Sequence, residues 1–169
     1  MFSEYGFYII KDDFFLRFQD PYLKGNHKEN RPHYYAFKSK KTNLIWMVPV
    51  SSKIEKYKSI VSRRAKQGKP CDFIEVLTLA NGKESAFVIG DMFPITEEYI
   101  LRPYTICSIP FGIVNEAQRD LIHSKANKVL SMIRKGYKFS PTQPNVLKIE
   151  KELMLDSQTS CVADIGNMD

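Results

Sequence analysis

Short blocks of apolar residues, separated by turn-forming residues, dominate the first half of the chain. The blocks at 5–10, 31–38 and 44–48 are rich in aromatic and β-branched residues, which favours strands. Because only a short polar turn separates the second block from the third, these two predict a hairpin. Antiparallel pairing in this hairpin would bring Arg31 near Ser51.

The next apolar blocks predict a second hairpin, formed by residues 72–79 and 85–89. The Asn-Gly pair between them is the most favoured short hairpin turn. A short turn or helix is expected at 97–101, and a further strand at 104–109.

Apolar residues at helical spacing predict four helices, at 12–18, 53–69, 115–134 and 144–153. Asp12 is expected to cap the first helix, Gly136 to stop the third, and Thr142 or Gln143 to cap the fourth. The composition of residues 157–169 suggests a loose tail. Together these elements predict an α+β fold in which helices surround a small, barrel-like antiparallel sheet.

Length and composition indicate one domain, covering residues 1–156. The chain has 169 residues, of which 43% are hydrophobic, enough for one well-packed core. Its three cysteines are far apart and match no metal-ligand spacing, which suggests reduced thiols. Without a secretory leader or a membrane-length apolar run, we expect a cytoplasmic protein that has no membrane partner.

Positive charge is concentrated in the helix predicted at 53–69, called the basic helix below. It holds seven basic residues and one acidic residue, so its net charge of +6 equals that of the whole chain. Ile54, Tyr57, Val61 and Ala65 recur at the spacing of a buried face. The basic side chains then face outward and favour a polyanionic partner such as RNA, with these as the RNA-binding candidates: Lys56, Lys58, Arg63, Arg64 and Lys66.

Two hydroxyls and a lysine, in Ser51, Ser52 and Lys53, stand where the second strand of the first hairpin runs into the basic helix. Ser52 and Glu55 have the spacing of a capping box, so the helix is expected to begin there. The first turn of a helix offers free N–H groups to a phosphate. The structural alternative is that Ser52 only caps the helix and that its basic face is only solvated.

Several chemistries lack their usual motifs in this chain. His27, His33 and His123 lie in different predicted elements, so no metal site is expected, and neither glycine-rich nucleotide motif occurs. The serines also lack the elbow motif of hydrolases. Cleavage of RNA by its own 2′-hydroxyl needs hydroxyls, cations and a phosphate site but no cofactor, and DNA would be inert in it.

Three motifs resemble the toxin endoribonucleases of type III toxin-antitoxin systems, the ToxN and AbiQ group, and most closely its CptN branch. They are Arg-Pro-His-Tyr-Tyr at 31–35, Trp-Met-Val-Pro-Val-Ser-Ser-Lys at 46–53 and Met-Phe-Pro-Ile at 92–95. The resemblance implies a compact α+β fold around a strongly bent antiparallel sheet, related to the MazF and CcdB toxins. It also implies metal-independent cleavage of cellular or phage RNA to a 2′,3′-cyclic phosphate, a role in phage defence or plasmid maintenance, and no DNA partner.

The resemblance further implies a partner RNA and a set of site residues. The partner is a small non-coding pseudoknot RNA, which the toxin cuts from a repeat precursor and then holds in a closed, inhibited assembly. The family's catalytic hydroxyl pair falls on Ser51 and Ser52, and its basic residue before the proline falls on Arg31. Its lysine falls on Lys53 or Lys56, while Tyr8 and His33 are further candidates for catalysis or substrate positioning.

Two alternatives remain open from the residues alone. One is a non-catalytic RNA-binding module, in which the basic helix contacts phosphates and Tyr34, Tyr35 and Tyr57 stack on bases. The other is a regulator whose basic face docks on an acidic protein.

Overall fold

The computed structural model describes the backbone of residues 2–25 and 28–165, and side chains as far as residue 160. His27, one of the histidines considered above, lies outside these residues. The strands of the described chain are β1 (Phe7–Ile10), β2 (Pro32–Lys38), β3 (Ile45–Ser51), β4 (Glu75–Thr78), β5 (Glu84–Phe87), β6 (Phe93–Ile95), β7 (Ile100–Pro103), β8 (Thr105–Ile106) and β9 (Ile109–Pro110). Its α-helices are α1 (Asp12–Arg17), α2 (Ile54–Lys66), α3 (Glu116–Arg134) and α4 (Val146–Ile165).

The main sheet is antiparallel and runs in the order β4-β5-β3-β2-β1-β7, with β6 as an additional partner of β3. Both predicted hairpins are confirmed: β2 pairs with β3, and β4 pairs with β5. Gly82 adopts a φ of 77° in the second hairpin turn, a conformation that glycine adopts without steric cost.

Strand β3 organises the sheet because it changes partners along its second edge. Its first three residues pair with β6, whereas Val50 and Ser51 at its end pair with β5. The sheet nevertheless stays open, with β4 and β7 at its two edges, so the prediction of a barrel-like sheet is wrong. The α+β class with an antiparallel sheet and surrounding helices is confirmed.

The core lies between the sheet and the helices. Strand β2 is buried at five successive positions and β3 at its first five, which shows that both faces of these strands are covered. Phe14 of α1 stacks on Phe93 of β6, with ring centroids 5.3 Å apart. Trp46 of β3 is fully buried. Helix α3 adds Ile122, Ala126 and Val129, and α2 packs separately against β4 and β5.

Several predicted element boundaries differ in the structure. Residues 104–109, predicted as one strand, form most of the small β8–β9 hairpin, because Cys107 and Ser108 turn the chain with φ values of 50° and 64°. Asp12 does not cap α1, whose N-cap is Lys11, and neither Thr142 nor Gln143 caps α4, where the Asn145 side chain accepts from Lys148 N.

The last helix is longer than the sequence predicts. Helix α4 continues to Ile165, past the point at which a loose tail was expected to begin, and residues 154–160 on it are exposed. Residues 166–169 of that tail lie outside the described chain. No helix in the described residues is both long enough and apolar enough to cross a membrane.

Candidate active-site cleft

A cleft of about 900 Å³ opens where β3 ends and α2 begins. Its lining combines hydroxyl and cationic side chains with apolar and aromatic ones. The hydroxyl and cationic residues include Lys24, Arg31, Ser51, Ser52, Lys53 and Lys56, together with the hydroxyl-bearing Tyr57. Four of the predicted catalytic residues, Arg31, Ser51, Ser52 and Lys53, therefore lie together in this cleft.

The hydroxyl of Ser51 is held by two neighbours. Ser51 pairs with Ala86 of β5, so its backbone is part of the sheet. Its Oγ accepts a hydrogen bond from Lys53 N at 3.2 Å, and its side chain also hydrogen-bonds the hydroxyl of Tyr57. This hydroxyl is thus oriented before any ligand arrives.

Ser52 is exposed and does not act as the predicted helix cap. Helix α2 begins at Ile54 with Lys53 as its N-cap, and among the described residues no side chain caps the helix there. The Ser51 hydroxyl instead accepts a hydrogen bond from Lys53 N, and the Ser52 carbonyl accepts one from Ile54 N at 2.9 Å. The capping-box interpretation is therefore wrong, and the Ser52 hydroxyl is not committed to the helix.

Arg31 reaches the cleft through the register of the first hairpin. His33 pairs with Pro49, so continuing the register sets Arg31 opposite Ser51, as the sequence predicts. Burial lowers the pKa of Arg31, while Tyr57 and Asp91 act in the opposite direction. An arginine stays protonated despite such a shift, so the cleft holds a permanent, partly desolvated cation.

Asp91 is an acidic group near the cleft and is not among the predicted site residues. It lines a small adjoining cavity with Lys24 and Pro49. Burial raises the pKa of Asp91, and Lys24, Arg31 and Lys56 partly offset this effect. The sequence contains a signal for Asp91, because it is the only carboxylate inside the apolar run 86–95. Buried carboxylates in proteins are almost always paired, so a cationic partner could have been expected.

Three predicted site residues lie in the core instead of the cleft. Tyr34 is 1% exposed, which excludes base stacking on its ring. Tyr8 is also buried, and its hydroxyl exchanges two 2.9 Å hydrogen bonds with the backbone of Ser3. His33 is 0% exposed and packs against Phe93. Neither Tyr8 nor His33 lines the cleft, so neither is positioned here for the predicted roles.

Tyr57 lies in the cleft in a different way from the one predicted. Its ring is 5% exposed and packs with Ile74 and Val88, so it cannot stack on a base. Burial raises the pKa of its hydroxyl, whereas Arg31 and the hydrogen bond with Ser51 lower it. Tyr57 therefore contributes a hydroxyl to the cleft and not a stacking surface.

The cations of the basic helix occupy different environments. Lys56 lines the cleft, and Lys58 forms an ion pair with Glu84 at 2.7 Å. Arg64 donates to the Pro70 carbonyl at 2.8 and 3.1 Å and is therefore engaged within the protein. Arg63 and Lys66 are exposed on this helix.

The buried face of the basic helix also differs at one position from the prediction. Ala65 is exposed, whereas Ile60 packs with Ile54 and Val61 against the small cluster around Tyr57. Among the residues whose side chains are described, no three histidine, cysteine or acidic side chains are grouped as a metal site would require.

Comparison with known proteins finds similarity in structure but not in sequence. No protein-family model and no curated protein matches the chain. AbiQ, a lactococcal anti-phage endoribonuclease of a type III toxin-antitoxin system, superimposes with a TM-score of 0.68 at 14% identity, over 92% of this chain and 99% of AbiQ. A protein of a bacterial antiviral system that a processed non-coding RNA regulates gives a TM-score of 0.64 at 15% identity, over 88% of this chain and 96% of that one.

These matches cover most of this chain and nearly the whole of the two matched proteins. They confirm the resemblance to the ToxN and AbiQ group in structure and do not distinguish its CptN branch. At this level of identity the likeness establishes the fold and leaves the activity to be argued from the cleft. The chain has the fold of AbiQ, the endoribonuclease of a type III toxin-antitoxin system.

Proposed function

We propose that this chain is the toxin of a type III toxin-antitoxin system and cuts cellular or phage RNA in the cytoplasm without a metal. The observation that carries the proposal is the convergence of Arg31, Ser51, Ser52 and Lys53 in one cleft, on a fold shared with an endoribonuclease. Two hydroxyls and two cations supply what RNA cleavage through the 2′-hydroxyl requires from a protein.

In this reaction the 2′-hydroxyl of the substrate attacks the adjacent phosphorus. A P–O2′ bond forms and the P–O5′ bond breaks, which leaves a 2′,3′-cyclic phosphate and a 5′-hydroxyl. The 2′-oxygen loses a proton and the departing 5′-oxygen gains one. Arg31 and Lys53 stabilise the charge of the phosphorane, while the hydroxyls of Ser51, Ser52 and Tyr57 orient the phosphate and relay protons.

The product ends provide the direct test of this function. Purified protein incubated with RNA in excess EDTA should cut at the rate seen without EDTA. The products should carry 2′,3′-cyclic phosphate and 5′-hydroxyl ends, identified by end-specific ligation and sequencing. Products with 3′-hydroxyl ends, or loss of cleavage in EDTA, would contradict the proposal. RNA binding without any cleavage would instead indicate the non-catalytic RNA-binding module.

The same proposal includes the inhibitor, a small pseudoknot RNA cut from a repeat precursor and held in a closed assembly. Its phosphates are expected on the exposed part of α2, where Arg63 and Lys66 lie outside the cleft. Arg64 is not suited to this role, because its side chain is bonded to Pro70.

Replacing Arg63 and Lys66 together by alanine should weaken binding of the inhibitor RNA and flatten its salt dependence. Each lost phosphate contact removes roughly 0.7 to 0.9 from the slope of log K against log salt, so two contacts remove about 1.4 to 1.8. Cleavage of a short substrate should stay near the parental rate. Binding is measured by fluorescence anisotropy across a salt series.

The control removes the same charge from another exposed surface, through Lys148→Ala with Lys151→Ala on α4. That variant should keep the parental slope. If both double variants give the same slope of log K against log salt, the exposed part of α2 is only solvated.

A further inference from the structure

Part of the cleft lining is not used by the proposed reaction, and we call it the second side of the cleft. It consists of the apolar and aromatic residues Phe7, Leu79, Tyr104, Ile106 and Phe111. A scissile phosphate interacts through charge and hydrogen bonds, and gains nothing from this apolar side. The side therefore fits a part of the ligand other than its phosphate.

Tyr104 and Phe111 are the two half-buried aromatic residues on that side. Their ring centroids lie 6.4 Å apart at 79°, an edge-to-face arrangement. Phe111 also packs against Phe7 at 5.1 Å and 32°. The two rings thus belong to a continuous aromatic cluster that reaches from the core into the cleft.

The backbone holds both residues rigidly. Phe111 N donates to the Tyr104 carbonyl at 2.9 Å across the base of the β8–β9 hairpin. Tyr104 N donates to the Phe7 carbonyl at 2.8 Å, and Phe7 N donates to the Phe111 carbonyl at 3.0 Å. Strand β1 therefore fixes the backbone of both residues, and their half-buried rings pack on each other, which leaves less side-chain freedom to be lost when a ligand binds.

A glycine beside Phe111 maintains this close approach to the N-terminal segment. A Cβ atom on Gly112 would lie 2.9 Å from the Tyr5 carbonyl oxygen, closer than real Cβ contacts. The Gly6–Gly112 bridge thus fixes the residue after Phe111 against the N-terminal segment. The aromatic pair is therefore a preorganised surface rather than part of a loose loop.

We infer that Tyr104 and Phe111 form a base-binding subsite, which stacks on a nucleobase of single-stranded RNA next to the phosphate bound by Arg31 and Ser51. This inference rests on the proposed ribonuclease function. Unpaired RNA bases are recognised by stacking on aromatic side chains, and cationic grooves beside such rings bind the adjoining backbone. Both features line the same cleft.

The test measures binding of a short single-stranded RNA that carries 2′-deoxyribose at the cut position and therefore is not cleaved. Single abasic sites are moved along it. In the parental protein, one abasic site beside the cut should weaken binding about 5- to 150-fold, the range expected for loss of one stacked base. Phe111→Leu should bind the intact RNA more weakly by a similar factor. The abasic site beside the cut should then weaken its binding only a little further.

Two further variants separate stacking from packing. Phe111→Tyr keeps the ring and should retain parental binding and the parental abasic penalty. Phe139→Leu is the matched control, because Phe139 is a half-buried ring that packs on Phe73 outside the cleft. It should bind RNA as the parent does. If Phe111→Leu is destabilised, Tyr104→Leu with Tyr104→Phe repeats the comparison at the second ring.

Parental binding by folded Phe111→Leu and Tyr104→Leu, or an abasic penalty that persists in both, would overturn the subsite. This outcome is distinct from failure of the proposed function. If the parental protein does not cut RNA, unmodified RNA serves as the probe and the same comparison of variants decides the subsite.

Discussion

Replacing either Ser51 or Ser52 by alanine should slow RNA cleavage about 10²- to 10⁴-fold, the range for a lost proton-transfer group. Ser51 has an oriented hydroxyl between Lys53 N and Tyr57, and Ser52 presents an exposed hydroxyl at the same cleft. Single-turnover cleavage of a short RNA measures the effect. Neither variant should change the binding of uncleavable RNA by a comparable factor.

Thermal unfolding distinguishes a chemical effect from a structural one in these variants. Because α2 has no side-chain cap, Ser52→Ala should change the free energy of unfolding by no more than about 0.5 kcal/mol, as for an ordinary surface position. Ser59→Ala, at an exposed position of α2 outside the cleft, is the control and should cut like the parent. Folded serine variants that cut at the parental rate would exclude these hydroxyls from the reaction.

Arg31→Gln should reduce cleavage about 10²- to 10³-fold, as removal of one preorganised donor to a charged intermediate does in other enzymes. The cation of Arg31 is partly desolvated in the free protein, and a bound phosphate offsets that cost most strongly when its own charge grows. The loss should therefore appear in kcat more than in KM. Steady-state kinetics on a short RNA measure both.

In Arg31→Lys, the cleavage rate should fall at alkaline pH in a way that it does not in the parental protein. Burial lowers the pKa at this position, but an arginine begins so high that it stays charged. A lysine begins near 10.4, so the same burial brings its deprotonation into the accessible range. Arg31→Lys should therefore retain more activity than Arg31→Gln near neutral pH. It should lose this activity as pH rises through the lowered pKa of the lysine.

The control for this position is Arg102→Lys, which changes an exposed strand arginine outside the cleft. It should leave the pH profile of cleavage unchanged. A rate for Arg31→Lys that stays parental as pH rises would contradict this prediction, and parental cleavage by Arg31→Gln would show that Arg31 takes no part in stabilising the phosphorane.

Local sequence patterns determined the framework of this site. The two hairpins, the long helix α3 ending before Gly136 and the α+β class all follow from turn residues and from apolar spacing within short segments. The proximity of Arg31 and Ser51 follows as well, because antiparallel pairing brings the two open ends of the hairpin together, and the register shift between Tyr35 and Phe37 then sets Arg31 opposite Ser51.

The tertiary structure alone decided which of these side chains reach the cleft. Because both faces of β2 are covered, the neighbouring residues Tyr34 and Tyr35 are both buried. The usual alternation of buried and exposed residues along a strand would bury only one of them. At the start of α2, the Ser51 hydroxyl takes the N–H of Lys53 and leaves Ser52 without a capping role.

Contacts between distant segments decided the remaining features. Asp91 lies near Lys24 and Arg31, and Tyr104 with Phe111 lies against β1. These residues are far apart along the chain, so their own neighbours in sequence carry no information about the partner. Burial and pairing depend on what packs from elsewhere in the fold, and that is the physical reason why only the three-dimensional structure reveals the second side of the cleft.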